Sequence, residues 1–353
     1  MKNISVSALA FTFIGSFLGA GYISGQELFQ FFGAFGFLGV LGLFIAIAIL
    51  SVFNLMIISI VKKNNNAQID KTVVGSENKQ LLFSVGVLES AIFFGTFVVM
   101  AAGFGALVKK LTGNDFSYYA GSFIFCLVIA FLAIKGISGL VKIFSFAVPV
   151  LVAITVFVGI CAVIRFGGNS FDFSVSTKYN PLIPNWVAGA VTFASYNLFC
   201  AVGVLCPVGL RVKNKKTAVL GTVLGGFFLI LVAAAVLISL AVMPSAKSED
   251  LPMMAVAYSI SPALSYVYAF LMFLAMTGAS LASIIPIVSY LADNSRTCEK
   301  HGAITIFATS VLAFLLSCAG FADLVGTLFS SFGYVSLIGL FGLVRHYLKL
   351  KKQ

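Results

Sequence analysis

Residues 19–36 read GAGYISGQELFQFFGAFG and lie inside an apolar run that extends from Ile4 to beyond Leu55. This stretch carries five glycines and one glutamate, Glu27, at a depth where a membrane-spanning helix is normally unbroken and uncharged. Unpaired backbone groups at that depth are tolerated only where they are buried in protein or line a polar cavity. The stretch therefore predicts an interrupted first span beside a polar site.

The composition is typical of a polytopic membrane protein, because 60% of the 353 residues are hydrophobic and only 9% are charged. We expect an all-α integral membrane protein with a single transmembrane domain over residues 1–353. Its hydrophobic runs predict ten transmembrane helices, at residues 5–33, 36–61, 81–108, 117–134, 138–164, 186–209, 217–243, 261–292, 303–320 and 323–346.

The distribution of basic residues predicts the orientation. Seventeen of the 22 lysines and arginines fall on the same side as the N-terminus in this ten-helix scheme, and five fall on the other side. The positive-inside rule then places both termini in the cytoplasm, in the cytoplasmic membrane of a bacterium. The formal charge of +11 is therefore expected to contact lipid headgroups of the bilayer, and no nucleic-acid partner is expected.

The sixth predicted helix, WVAGAVTFASYNLFCAVGVLCPVG, contains a second polar interruption, formed by Ser195, Tyr196 and Asn197. Helices one and six open two halves of five helices each, about residues 5–164 and 186–346. Matched interruptions in two such halves indicate an inverted repeat with a central binding site, so both helices are expected to be broken at the midplane. The alternative is that the glycines only permit close helix packing.

Glu27 has two compatible interpretations. Ser24 and Glu27 have the spacing of a capping box, in which the glutamate returns to the backbone N–H of the serine and restarts the helix. Alternatively the carboxylate lies near the cavity, where it can bind a cation, carry a proton or accept a substrate amine.

Other polar residues are candidates for ion coupling. Glu89 lies well inside the third helix and is expected to be protonated, paired or facing a cavity. Lys142 either extends to the headgroups or places an ammonium where a coupling cation would sit. Thr277, Ser280 and Ser283, at spacings of three, suit either a hard cation such as Na⁺ or an ordinary helix–helix seam.

Enzymatic chemistry is not expected. The two histidines, His301 and His346, fall at predicted cytoplasmic helix ends, away from any buried serine. The sequence has neither a metal-ligand cluster nor a phosphate-binding glycine loop, so no cofactor is expected apart from a coupling ion, H⁺ or Na⁺.

Several short motifs resemble a known superfamily. They are GSFLGAGY (15–22), KGISGLVKIFSFAVP (135–149), ASYN (194–197) and the Pro286, Leu291 and Asp293 pattern. Together they resemble the amino acid–polyamine–organocation superfamily of LeuT type, and GAGYISGQE with ten helices is similar to the YkvI-type bacterial membrane proteins. The resemblance implies a five-plus-five inverted repeat, with helices 1 and 6 unwound around a central solute site and alternating access driven by an ion gradient.

By position, the resemblance also implies which residues line the solute site: Gly19, Ala20, Gly21 and Tyr22 from the first helix, Glu89 and Thr96 from the third, and Ser195, Tyr196 and Asn197 from the sixth. Ser24 and Glu27, where the first helix restarts, complete the candidate substrate-binding residues. One departure concerns coupling, because Gly278 and Ala279 occupy the positions of the hydroxyl pair in sodium-coupled relatives. A lysine of some proton-coupled relatives corresponds to Gly136, beside Lys135. Coupling to H⁺ and coupling to Na⁺ both remain open.

The function expected from these features is a secondary active transporter for a small amino acid or amine-type solute. The alternative is a ligand sensor of the same fold that does not transport, like the membrane subunit of a spore germinant receptor. Flux through the purified chain separates the two.

Overall fold

The computed structural model of the protein describes residues 4–65, 72, 73, 75, 78–135, 140–168, 171–176 and 180–352, without the side chains of 140–146. All regular secondary structure in this part of the chain is helical, which confirms the all-α class. The helices are α1 (Val6–Gly15), α2 (Ala20–Ser24), α3 (Gln26–Phe31), α4 (Gly36–Asn64), α5 (Lys79–Thr112), α6 (Phe116–Ile134), α7 (Leu140–Phe166), α8 (Trp186–Leu210), α9 (Lys215–Val242), α10 (Pro252–Ile260), α11 (Pro262–Asn294), α12 (Arg296–Lys300), α13 (Gly302–Ser317), α14 (Phe321–Leu324) and α15 (Ser330–Lys352).

Eight helical stretches of the described chain are long and apolar enough to cross a membrane. The first of them is a composite stretch, Gln26–Asn64, and two further apolar helices, Val6–Gly15 and Gly302–Ser317, are shorter. These helices establish a multi-pass membrane protein.

The first predicted helix, 5–33, is divided into three helical pieces. α1 ends at Gly15, α2 begins at Ala20, and Gly25 separates α2 from α3. Gly25 has a φ of +85°, a left-handed conformation that residues with a side chain rarely adopt. A Cβ atom there would also lie 3.0 Å from Cγ1 of Val236, so the turn requires glycine both for its conformation and for its space.

The break expected in the sixth helix is absent, and that prediction was wrong: α8 runs without interruption from Trp186 to Leu210. The polar residues are accommodated inside a regular helix. Asn197 Nδ2 donates 3.1 Å back to the carbonyl of Phe193, one turn earlier, and Pro207 lies in the last turn of the helix. Because Tyr196 and Asn197 find side-chain partners without opening the backbone, and Ser195 is simply buried, they do not interrupt the helix.

Asparagine caps fix the starts of three long helices. Asn78, Asn185 and Asn214 each accept a backbone N–H bond in the first turn of α5, α8 and α9. Such caps satisfy amide groups that the helix itself leaves unpaired. α8 then packs against α4 and α15, while α1 packs against α9 and α5 against α11. The centre of the bundle is therefore lined by α8 and by the interrupted first span.

A short helix, α10, begins within the segment LPMMAVAYS (251–259). Met253 and Met254 are fully buried, and Cγ of Met253 would lie 3.3 Å from a Cβ atom at Gly25. α10 therefore covers the left-handed turn between α2 and α3.

The last predicted helix, 323–346, is not uniform. α14 is followed by a π-helical turn, Val325–Phe329, before α15 begins. Side-chain amides bond carbonyls at this irregular turn: Gln30 Nε2 donates to Ala322 at 3.0 Å and Asn180 Nδ2 to Gly326 at 2.8 Å. The predicted helix 303–320 is also shorter, because α13 ends at Ser317 and Gly320, with a φ of +101°, follows it.

An ion pair anchors the segment before α8. Lys247 Nζ lies 2.7 Å from Asp172 Oδ2, and the Oγ of Ser174 donates to the same carboxylate. The bond from Lys247 and those from Ser174 lower the pKa of Asp172 to about 2. Because the pKa is depressed in the folded protein, the stabilisation is present above about pH 4 and is lost as the pH falls through about 2.

We expect Asp172→Asn to lower the melting temperature by about 1–2 °C at pH 7, since a partly exposed pair contributes at most about 1 kcal/mol. Thermal unfolding of the detergent-solubilised protein measures the change, and the difference from wild type should shrink as the pH is lowered below 4. Asp115→Asn, which breaks a far more exposed pair with Lys109, serves as the control. If the melting temperatures of Asp172→Asn and wild type still differed by the same amount at low pH, the stabilisation would not come from the ionised Asp172 carboxylate.

Candidate functional site

The carboxylate of Glu27 lies at the centre of the bundle and is 3% exposed. The hydroxyl of Tyr196 donates to its Oε1 atom, and Asn197 Nδ2 lies 3.2 Å from the same oxygen. The interrupted first span and α8 are thus joined through one acid. The structure brings together Glu27, Tyr196 and Asn197, which sequence analysis had assigned to one solute site from two distant segments.

Gly21 faces this carboxylate. A Cβ atom at Gly21 would lie 2.6 Å from Oε2 of Glu27, closer than such contacts occur in proteins. A glycine is therefore needed here so that the acid can approach the backbone of α2.

The capping-box interpretation of Glu27 was wrong. The residue before α3 is Gly25, and the Ser24 hydroxyl donates to Gly21 O at 3.1 Å and accepts from Gln26 N at 3.3 Å. Since the carboxylate is directed across the bundle to Tyr196 and Asn197, it does not return to the backbone of Ser24. The left-handed turn at Gly25 restarts the helix in place of a side-chain cap.

Three phenylalanine rings surround Tyr196, the phenol that bonds the acid. The ring of Tyr196 stacks on Phe329 of the π-helical turn, with centroids 4.8 Å apart, and lies 5.8 Å from Phe31 and 5.9 Å from Phe193. Sequence analysis missed these three phenylalanines. Phenylalanines are frequent in every span of this chain, so no short pattern distinguishes the ones that face the site.

Two tyrosines fix the short helix α2. The hydroxyl of Tyr22 donates 2.8 Å to the carbonyl of Leu229 on α9, and the hydroxyl of Tyr268 donates 2.7 Å to the carbonyl of Ile23. The Tyr22 hydroxyl, expected to line the solute site, is thus engaged by α9. Tyr268 was not identified from the sequence.

The remaining residues predicted to line the site lie around this centre. Gly19 and Ala20 form the start of α2, and Ala20 is fully buried. Thr96 donates to the carbonyl of Ile92 at 2.9 Å and lies 3.7 Å from Sγ of Cys200, one turn beyond Tyr196. Glu89 is 7% exposed.

Two buried groups stand apart from the acid. The Ser195 hydroxyl is fully buried and has no hydrogen-bond partner among the described residues. Glu89 acts electrostatically on the thiols of Cys200 and Cys206. Glu89 lies on α5, two turns before Thr96.

The candidate ion-coupling hydroxyls of α11 differ in their bonding. Thr277 and Ser283 donate to carbonyls of their own helix, Phe273 and Ala279, each at 2.8 Å. The Ser280 hydroxyl is fully buried and has no partner within the described part of the chain. The side chain of Lys142 and all of Gly136 lie outside the described residues.

Glu27 belongs to no ion pair among the described residues. The ion pairs found there are Lys109–Asp115 and Lys110–Glu249, at the end of α5, and Lys247–Asp172. Among the same residues, no group of three histidine, cysteine, aspartate or glutamate side chains is placed to hold a metal. The chemistry available at the centre is that of an acid, a phenol and an amide inside an aromatic enclosure.

Comparison with known proteins finds similarity to other membrane proteins. No family model matches the chain. The uncharacterized membrane protein YkvI of Bacillus subtilis (strain 168) is 26% identical over 338 residues, which cover 94% of this chain and 93% of the relative.

Among solved structures, the chain is similar to the nucleobase-cation-symport-1 family transporter Mhp1 in a closed conformation with bromovinylhydantoin bound. The TM-score is 0.64 at 13% identity, over 93% of this chain and 74% of Mhp1. It is likewise similar to MhsT in complex with L-phenylalanine, with a TM-score of 0.64 at 17% identity, over 95% of this chain and 88% of MhsT.

The chain therefore shares the LeuT-type fold of these solved transporters. The resemblance to the YkvI-type membrane proteins, stated above from short motifs, is confirmed over nearly the whole chain.

Proposed function

We propose that the protein is a secondary active transporter that moves a small solute carrying an amino group, an amino acid or an amine, by ion-coupled alternating access. The similarity in fold to cation-symport transporters such as Mhp1, and to MhsT with its bound amino acid, supports the general class. The substrate class and the coupling ion are argued from this chain's own residues.

The observation that carries the proposal is the isolated acid. Glu27 is fully buried, and the partners described for it are neutral, the Tyr196 hydroxyl and the Asn197 amide. A carboxylate at membrane depth is stable only when a proton or a cation neutralises it. The Glu27 carboxylate can hold either a proton or the ammonium of a solute, but not both. Exchange of one for the other therefore couples the movement of the proton to the movement of the solute.

The surrounding rings favour a cationic group. Ring faces attract ammonium ions, most strongly where water is excluded. Phe31, Phe193 and Phe329 lie within stacking distance of the Tyr196 ring, whose hydroxyl bonds Glu27. An amino group entering this enclosure meets one negative charge and several ring faces.

The coupling ion is H⁺ or Na⁺, and different residues serve each. Glu27 and Glu89 are the acids available to carry a proton. For Na⁺, oxygen ligands are required, and Ser280 is the α11 hydroxyl with no described partner. α11 contacts α2, and Ser280 is the buried hydroxyl of α11 without a described partner, so we take Ser280 as the candidate Na⁺ ligand on that helix.

We expect Ser280→Ala to remove any rise in melting temperature that Na⁺ produces, with a roughly tenfold higher Na⁺ concentration needed for half the effect. Thermal unfolding in NaCl compared with choline chloride measures this. Ser283→Ala is the matched control, because its hydroxyl is already bonded to its own helix. Equal Na⁺ responses in the Ser280→Ala variant and the wild type would exclude Ser280 as a ligand.

The arrangement we propose in the membrane has ten spans in two inverted halves, about residues 5–164 and 186–346. The eight long apolar helices together with α1 and α13 supply the ten spans. The excess of basic residues on one side places both termini in the cytoplasm. In this scheme the interrupted first span is the element that moves during transport, and it moves relative to the continuous helix α8.

The test of function is uptake by the purified chain in proteoliposomes. A library of amino acids and amines is first ranked by the melting-temperature rise that each produces, because a ligand of the folded state stabilises it by mass action. The best ligands are then tested for accumulation driven by a proton or sodium gradient. Gradient-driven accumulation supports the transporter, whereas saturable binding without flux would instead support a ligand sensor.

A further inference from the structure

His346 is buried at the charged end of α15. It is only 7% exposed, although Arg345 precedes it and Lys349, Lys351 and Lys352 follow. A histidine among surface cations normally faces water, and burial requires partners for its ring nitrogens. Neither the sequence analysis nor the proposed solute site gives this residue a role.

Both ring nitrogens of His346 have partners on other segments. Nδ1 lies 2.8 Å from the carbonyl oxygen of Thr72, and Nε2 lies 3.1 Å from Nδ2 of Asn64, at the end of α4. A carbonyl only accepts, so Nδ1 carries the proton, and Nε2 then accepts from the amide of Asn64. Lys63 Nζ also donates to the carbonyl of Leu350, which joins α4 and α15 at the same end.

The backbone around Thr72 lies directly on α15. A Cβ atom at Gly342 would be 2.8 Å from the carbonyl oxygen of Val73, and one at Gly75, whose φ is +60°, would be 2.9 Å from Cβ of His346. Thr72 and Val73 are 3% and 2% exposed. Glycine on both sides therefore permits a close contact that covers this end of the bundle.

Beneath this contact begins the line of polar groups that ends at Glu27. The side chain of Thr72 lies against the fully buried thiol of Cys206 on α8. Further along α8, Cys200 lies 3.7 Å from Thr96, and Tyr196 one turn beyond bonds Glu27. The His346 contact is therefore the cover at one end of this line.

We propose that His346 is the positioning residue of an inner seal, in which its ring holds Asn64 and the backbone of Thr72 over Cys206. The seal rests on the proposed function, because alternating access requires the end of the bundle that carries Lys62 and Lys63 to open and close. In the state described, the seal is closed.

Cys206 supplies a native reporter, because it is fully buried beneath the seal. The experiment uses the full chain with the other five cysteines replaced by serine or alanine, and measures the rate at which N-ethylmaleimide alkylates Cys206. We expect His346→Ala to raise this rate at least roughly tenfold, since it removes both hydrogen bonds of the ring. His301→Ala is the matched control, because the other histidine is exposed on the surface, and its rate should equal that of the parent.

Two further variants keep the test independent of folding defects. Asn64→Ala removes only one partner of the ring, and Gly342→Val pushes against the Val73 carbonyl from the opposite side. Both should raise the Cys206 rate while the protein remains monodisperse and keeps a cooperative thermal transition. Unchanged alkylation in all three folded variants would overturn the seal. Because no solute is present, this result is distinguishable from a failure of the transporter proposal, which is judged by uptake.

Discussion

Replacing Glu27 with glutamine is expected to reduce gradient-driven uptake by roughly 100-fold or more. The substitution removes the carboxylate from the proposed buried pair between Glu27 and the ammonium of the solute, and truncating one partner of such a pair has an effect of this size. Glutamine has nearly the same shape and can still accept the hydrogen bonds from Tyr196 and Asn197, so the fold should persist. It can neither carry a proton nor neutralise an ammonium. Proteoliposome uptake of the best-ranked ligand, together with the melting temperature of the apo protein, measures both parts of the expectation.

The matched control for this substitution is Glu249→Gln. Glu249 is a partly exposed acid paired with Lys110 outside the solute site, so its neutralisation should leave uptake within about twofold of wild type. Glu27→Asp tests position, because it keeps the charge but withdraws it from Tyr196. Normal coupled uptake in the Glu27→Gln variant would remove the acid from the mechanism, whatever the fold.

Replacing Gly21 with alanine is expected to cause the second large loss of uptake. The added methyl group would lie 2.6 Å from Oε2 of Glu27, so the carboxylate or α2 must move. Overpacking of this kind costs about 1–3 kcal/mol, while alanine in a helix regains up to about 1 kcal/mol. We therefore expect a small loss of stability and a roughly 30-fold or greater loss of uptake, because the acid is displaced from Tyr196 and Asn197.

Gly19→Ala is the control for this change, because a methyl group there would meet only Cε of Met100, at an ordinary 3.8 Å. The two glycines are two residues apart; Gly19 is the extended residue before α2, and Gly21 lies inside α2 and faces Glu27. Uptake and the ligand-induced rise in melting temperature should be nearly normal in Gly19→Ala. If both variants lost uptake equally, flexibility of the segment and not the position of the carboxylate would explain the loss.

The sequence predicted the first interruption and failed on the second for a physical reason. Gly25 adopts a positive φ, so the break in the first span is encoded in a backbone preference that composition reveals. Ser195, Tyr196 and Asn197 are polar, but polarity alone does not break a helix when each side chain can be buried or bonded within it. Asn197 bonds its own helix and Glu27 at once, and α8 remains regular.

The partners of Glu27 were foreseen as members of one site, but their contacts were not. The spacing of Ser24 and Glu27 favoured a local cap, whereas the structure directs the acid to α8. Local patterns describe neighbours in the chain, and they carry no information on a tyrosine 169 residues away. The π-helical turn that places Phe329 on Tyr196 left no sequence signal for the same reason, since Asn180 bonds the Gly326 carbonyl of the turn, and Gln30 the Ala322 carbonyl just before it, from distant segments.

The two tyrosines that hold α2 have a mechanical consequence. Tyr22 fastens this five-residue piece to α9 and Tyr268 fastens it to α11, while the chain is interrupted both before Ala20 and at Gly25. Because α2 is bonded to two neighbouring helices and the backbone is non-helical on both sides of it, the angle of α1 to α2 and the angle of α3 to α2 can change independently. α1 and α3 can then pivot separately about a stationary middle, so that one face of the bundle loosens while the opposite face stays shut.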